Sequence, residues 1–291
     1  MRTFVSAIAV IFTLLLTAIA VPMAWTDANI VREDGFVALI SPLGKDQAFQ
    51  SGLAAAAVGS LESKVQLPAP VEQLGASLLK DAASSMSVWP EYPQAWNDTV
   101  RRSHQLNFAG NAASGNTSAA TLVLDVAPLA SLVAKRLATA TGLPIEAPKS
   151  TLINIGSPAQ RQQVEAVAAY APMWWIAALG AVLLLALALL AARRRSVVVL
   201  FAGLGLAALA GLWQAGSTVL RGVGDAGLGG TTTGGVFVRE LVAASADNFS
   251  GWIVDAAIAG GVLAVVGLLM LILSPKARAR GRANAAGSME G

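Results

Sequence analysis

The stretch 185–206, "LALALLAARRRSVVVLFAGLGL", places three consecutive arginines between two runs that carry no charge. An arginine costs roughly 2.5–3.5 kcal/mol at the centre of a bilayer-spanning helix, and no acid flanks Arg193, Arg194 or Arg195. The arginines therefore belong in a headgroup region, and "AARRRS" reads as a tight turn between two antiparallel spans.

Composition agrees with that reading. The 291 residues are 55% hydrophobic and 13% charged, with a mean hydropathy of +0.62; soluble domains carry roughly 25% charged residues. Four runs, at about 4–24, 173–192, 196–214 and 252–273, satisfy the span criterion of roughly 17–25 predominantly apolar residues. The expected fold is a mainly α membrane protein with four transmembrane helices. A helical α+β extracytoplasmic domain with two short strands follows the first of them.

Orientation follows from where the cations lie, because short basic loops stay on the cytoplasmic side. The tail "SPKARARGR" carries Lys276, Arg278, Arg280 and Arg282, and Arg2 precedes the first run. With four spans these sites share one side with the tri-arginine turn. The cytoplasmic pieces then hold eight basic residues and one acid, Glu290, against twelve basic and sixteen acidic residues outside. The expected map is a first span over 1–25, an outer domain over 26–171 and a hairpin of spans over 172–214. An outer Gly-rich loop with an interfacial helix over 215–251, a fourth span over 252–274 and a basic tail over 275–291 complete it. The first run exceeds the 7–15 apolar residues usual for a signal peptide, so it reads as an uncleaved anchor with Trp25 at the interface. Cleavage near "AIAVPMAWTDA" is the alternative, and it leaves the orientation unchanged.

Several chemistries are excluded or disfavoured. With no cysteine, the chain has no disulfide, thiolate metal site or cysteine nucleophile. A basic pI of about 9.5 can signal nucleic acid, but the excess here flanks spans, where orientation and anionic lipid account for it. The expected partners are the lipid bilayer and either a protein partner or a second copy in the membrane, with no nucleic acid. No catalytic residue, cofactor or metal is assigned.

In the outer region, Phe49, Leu53, Ala57 and Leu61, and then Val71, Leu74, Leu78, Ala82 and Met86, recur at helical spacing. Pro90 and Pro93 interrupt the pattern. A third helix in "AWNDTVRRSHQLNFAG" aligns Trp96, Val100, His104 and Phe108 or Asn107, and Gly110 is placed to end it. A βαβ-like segment follows, with a strand in "TLVLDV" (121–126), a helix starting at Pro128 and ending before Gly142, and a strand in "STLINI" (150–155). In "GSPAQRQQVEAVAAYAP", Ser157 is the expected N-cap, Pro158 the first helical residue and Gln160 the capping-box partner. The stripe Val164, Val167, Ala168 and Ala171 leads into the second span.

Few residues invite a chemical reading. "GVGDAGLGGTTTGG" lacks the lysine that a phosphate-binding P-loop requires and reads as linker. Phe237, Leu241 and Ala244 mark the helix after it. His104 sits beside Arg101 and Arg102, a field that disfavours bound cations, and reads as structural. Glu33, Asp34 and Glu91 are the carboxylates available for outer acid–base chemistry, with a solvated face as the simpler reading. Asp255 lies one turn inside the fourth run, where ionisable groups are costly and often functional. Gly203, Ala207 and Gly211 in the third run, and Ala256, Gly260 and Ala264 in the fourth, form small-residue rows that allow close helix packing. Asn97, Asn116 and Asn248 begin Asn-x-Ser/Thr sequons.

The order "DGFVALISPLGKDQAFQSGLAAAAVGSL", "WNDTVRRSHQLNFAGN", "LVLDVAPLASLVAKRLATATGL" and then three spans resembles a group of uncharacterised actinobacterial multi-pass membrane proteins. These have an extracytoplasmic domain after the first span. The matching residues are Phe36, Val37, Pro42, Leu43 and Asp46, and then Arg101, Arg102 and His104. The resemblance covers most of 26–214 and implies a bacterial plasma membrane with the domain facing the envelope; it carries over no catalytic residue. The function expected is a non-enzymatic accessory, assembly or sensing protein of the cell envelope or a respiratory membrane complex. A transporter or channel component, or an envelope enzyme using outer carboxylates, is the alternative.

Overall fold

A computed structural model of the protein describes residues 2–46, 49–50, 85–108, 121–142, 144–225 and 233–273. The described chain is mostly helical. In order it forms α1 (Arg2–Thr26), α2 (Glu33–Ile40), α3 (Tyr92–Phe108), β1 (Val123–Asp125), α4 (Ala127–Thr141), β2 (Leu152–Asn154), α5 (Pro158–Tyr170), α6 (Trp174–Ala191), α7 (Arg195–Asp225) and α8 (Thr233–Ile272). The helices expected over about 49–61 and 71–86 lie almost wholly outside the described residues, as do Asn116 and the tail cations Lys276, Arg278, Arg280 and Arg282. The chain divides into two units. One comprises 1–25, 172–219 and 248–291, and the other 26–171 and 220–247.

The first unit holds the most apolar helices. Among the described residues four helical stretches are long and apolar enough to cross a membrane, yet only 11% to 28% of the most apolar window of each is buried within the protein. A water-soluble bundle hides its apolar stripe in a core. Here large side chains such as Val182, Leu183, Phe201, Leu212 and Ile258 face outward, as expected where the surroundings are lipid.

What holds this unit together is close approach rather than bulk. A Cβ added at Gly203 would lie 2.3 Å from the Ala264 nitrogen and 2.6 Å from the Gly260 oxygen, and one at Gly260 would lie 2.7 Å from the Ala207 nitrogen. Backbones this near exclude any side chain, so Gly203, Ala207, Gly260 and Ala264 form the α7–α8 seam. Gly211 differs from expectation, because no described residue has an atom within 4 Å of its Cβ position. Ala210 is the buried residue instead, packed with Ile253 and Ala256. A straight helix turns 3.6 residues per turn, so a strict i+4 row drifts off the seam by its third member.

Two hydroxyls of α1, Ser6 and Thr13, are turned inward. The Ser6 hydroxyl donates to the Ala188 carbonyl at 3.0 Å, and Thr13 donates to the Ala9 carbonyl at 2.8 Å. The Trp25 indole donates to the Asn248 side-chain oxygen at 2.8 Å and meets Phe249 edge-on, with ring centroids 5.4 Å apart.

The second unit has a conventional core, in which Trp96, Val100, Leu124, Leu129, Val133, Phe49 and Phe237 are buried together. The chain enters it from α1 through a π-helical turn, Asp27–Val31, closed by an ion pair between Arg32 and Asp27 at 3.0 Å. Helix α3 starts at Tyr92, so Pro93 sits in its first turn, where the missing N–H is not required. Helix α4 ends at Gly142, whose φ of +70° is the left-handed cap that glycine adopts most readily. Ser157 and Gln160 form the reciprocal capping box of α5.

Two expectations change in this unit. The strands pair antiparallel, with Val123 opposite Asn154 and Asp125 opposite Leu152, so the segment is not a parallel βαβ crossover. Helix α4 advances about 22 Å, and the non-helical stretch 144–151 can retrace a similar length, about 26 Å, reversing the second strand. Helix α5, by contrast, leads into the second apolar run as its stripe suggests: Pro158–Ala191 is one stretch long and apolar enough to span a membrane, and α5 buries none of its own residues. Finally, the segment read as a loop with an interfacial helix is regular helix over its described residues, while 226–232 of the Gly-rich stretch lie outside them. Helix α7 runs on to Asp225, and within it the Ser217 and Thr218 hydroxyls donate back to the Gln214 carbonyl. Residues 233–250 form one continuous helix with the fourth apolar run. Phe237 there is 2% exposed and lies 5.9 Å from Phe49, so this stripe faces protein core rather than lipid. An amphipathic pattern records an apolar neighbour without saying which kind.

Candidate functional site: a polar seam on α3 and an isolated carboxylate on α8

Helix α3 carries the densest set of buried polar side chains, namely Thr99, Ser103, His104 and Asn107. They lie beside the Trp96–Val100 stripe, so one broad face of α3 is buried, with apolar and polar members interleaved. The Ser103 hydroxyl donates to the Thr99 carbonyl at 2.6 Å and accepts from the Asp125 N–H at 2.9 Å. Asn107 donates to the Ser103 and Val123 carbonyls, both at 2.7 Å, and accepts from the Val123 N–H at 3.0 Å.

Asp125 is the most deeply buried acid among the described residues, at 1% exposure. One of its oxygens accepts from the Ala127 N–H at 3.0 Å and the Thr151 N–H at 2.9 Å. The other lies 3.4 Å from the Arg102 guanidinium, which also donates to the Lys149 carbonyl at 3.0 Å. The carboxylate thus stitches the start of α4, the approach to β2 and helix α3 together. It was not a sequence candidate, although an Asp just before "VAP" is a recognisable helix-start signal.

His104 lies in the core of this unit, 5% exposed. It stacks on Phe108 with centroids 4.4 Å apart and approaches Phe36 at 5.0 Å. Its Nε2 is 3.0 Å from the Ile30 carbonyl, and since a carbonyl only accepts, Nε2 carries the proton. Burial pulls its pKa below the ordinary histidine value, against the opposing pull of the Ile30 carbonyl and the Glu33 charge. Its ring is thus held by protein on its polar edge and on its face.

The remaining carboxylates are engaged separately. Glu33 accepts from Arg101 at 2.8 Å and from Gln105 at 3.0 Å. Glu91 accepts from Arg136 at 2.8 Å, a contact that holds its pKa below the ordinary glutamate value. Glu91 precedes α3 by one residue, while Arg101 and Gln105 lie about 15–20 Å further along its axis, so Glu33 and Glu91 share no cleft. An open groove of about 600 Å³ between α3 and α4 is lined by Ala95, Asp98, Leu132, Lys135 and Arg136 among others. Among the described residues no group of three or more His, Asp or Glu is placed to hold a metal ion. Burial also pushes the Tyr92 phenol up to about 12, with the Gln50 side chain opposing. The Thr99 and Thr151 hydroxyls are buried without a hydrogen-bond partner among the described residues.

Asp255 stands apart, in the other unit. It is exposed on α8 and makes no ion pair with a described residue. The seam residues Ile253, Ala256 and Gly260 occupy the opposite face of the helix. Arg193, Arg194 and Arg195 are likewise exposed at the α6–α7 turn, and none pairs with a described acid.

No family model, curated protein or solved structure matches the chain.

Proposed function

We propose that the chain is a non-enzymatic integral plasma-membrane protein of the cell envelope. In this reading it serves as an accessory or assembly subunit, or as an extracytoplasmic interaction or sensing protein. Its four long apolar helices cross the bilayer, both chain ends and the tri-arginine turn are cytoplasmic, and the mixed unit lies outside.

The distribution of tryptophan and arginine along the apolar helices carries the topology. Five of the seven tryptophans (Trp25, Trp174, Trp175, Trp213 and Trp252) mark one end of the four apolar runs. Arg2, Arg193–Arg195 and the tail cations mark the other. Tryptophan favours the interface and arginine the cytoplasmic face, and the alternation is what an up-down-up-down bundle requires. The interaction role rests on how the polar groups are used. His104, Asp125, Asn107 and Glu33 are each occupied by backbone or by a neighbouring side chain, an arrangement that supports a rigid platform.

The absence of cysteine gives a clean background for testing both parts. Gln94→Cys should react with a membrane-impermeant maleimide in intact cells, and Arg194→Cys only after permeabilisation. The reverse pattern overturns the topology. Tagged protein extracted in mild detergent should then co-purify stoichiometrically with another membrane protein; recovery alone and monodisperse overturns the interaction role.

A further inference from the structure

Asp255 is the only charged residue within the four apolar runs 4–24, 173–192, 196–214 and 252–273. Its place on α8 is informative. Gly251, Ile258, Ala259 and Val262 share its face, and all are exposed, while Gly203 of α7 packs against Gly260 on the far side. The carboxylate is therefore turned away from the bundle it belongs to. Ala259 and Gly251, one turn to either side, leave low relief around it, and nothing lies within 4 Å of the Cβ position of Gly251.

We propose that this face of α8 docks a transmembrane helix of a different protein, one that carries a lysine or arginine near its outer end to pair with Asp255. The inference rests on the membrane reading given above. Charge complementarity selects the occupant. A carboxylate at the margin of hydrocarbon is stabilised by a cationic donor on an adjacent helix, and small flanking residues let such a helix approach closely. A second copy of this chain is the wrong partner, because it brings an identical carboxylate and no cation in any of its four apolar runs.

The test is site-specific photocrosslinking of the full chain in its native membrane. A photoreactive residue replaces Ile258, and a second variant carries it at Leu183, an outward-facing residue of α6. The expected adduct at position 258 is an apolar segment of another protein, with a lysine or arginine within about a turn of the crosslinked position. Its yield should fall about tenfold in Asp255→Leu and persist in Asp255→Glu. A crosslink to a second copy of this chain overturns the proposal, and so does an adduct unaffected by Asp255→Leu. Lipid adducts at both positions, with no protein at 258, overturn it while leaving the membrane reading intact. Absence of lipid adducts at 183 as well removes the membrane reading too.

Discussion

Asn107 completes the edge of β1 as a strand would. Its amide donates to the Val123 carbonyl at 2.7 Å while its side-chain oxygen accepts from the Val123 N–H at 3.0 Å. Strand β1 has only three residues and one strand partner, β2, so a helix side chain supplies the second. Buried backbone groups left without a partner cost about 1–3 kcal/mol each. Asn107→Leu strands both Val123 groups and should destabilise the mixed unit by about 2–4 kcal/mol. Native-state hydrogen exchange of the β1 amides in the full chain reads the loss. Unchanged protection would show that the pairing contributes nothing.

Asp125 works by the same logic with charge added. Asp125→Ala leaves the Ala127 and Thr151 N–H groups unpaired, whereas Asp125→Asn retains an acceptor and gives up only the contact with Arg102. The alanine variant should lose about 2–3 kcal/mol, and the asparagine variant about half of that. By contrast, Arg136→Ala breaks a solvent-screened pair with Glu91 and a contact over the Trp89 ring, and should cost the least of the three. Denaturant titration of the three variants orders them; equal losses would contradict the assignment.

The features legible in the sequence are those decided within a few residues. Ser157, Pro158 and Gln160 announce a helix start because the capping box closes locally, and Gly142 ends α4 because its φ is positive. The stripe Trp96, Val100 and His104 is buried as its helical spacing predicts. What escaped the sequence depends on partners far along the chain. Asn107 and Asp125 look like ordinary polar residues until β1 and the stretch around Thr151 arrive beside them. The direction of β2 rests on the path of 144–151, and the burial of Phe237 on where α8 begins. Hydropathy shows that Ile258 and Val133 are both apolar, but only packing separates an outward-facing residue from a core one.

The α7–α8 seam separates glycines that composition treats alike. Gly203→Val places carbon where the Ala264 nitrogen already lies, so the helices must part. Overpacking of this kind costs about 1–3 kcal/mol. Gly211 faces open space, and Gly211→Ala should be neutral or gain up to about 1 kcal/mol, because alanine is the better helix former. Thermal unfolding in one detergent reads both. Equal loss in the two variants would mean that glycine is required for its backbone freedom rather than for close approach.

His104 makes the stability of the mixed unit depend on pH. It is the only histidine in the chain, so a slope near neutrality is assigned without ambiguity. Burial depresses its folded pKa below the ordinary value of 6.5, so the unfolded state takes up the proton first. Wherever the unfolded state binds more protons, stability rises with pH. The contribution is therefore fully present above about pH 6.5 and is lost as pH falls through that value toward the folded pKa. His104→Gln keeps a donor for the Ile30 carbonyl and cannot titrate. Its stability should be flatter than that of the parent chain between about pH 7.5 and pH 5. Denaturant midpoints of both proteins across that range measure the difference. Parallel curves would show that protonation of His104 is not linked to folding.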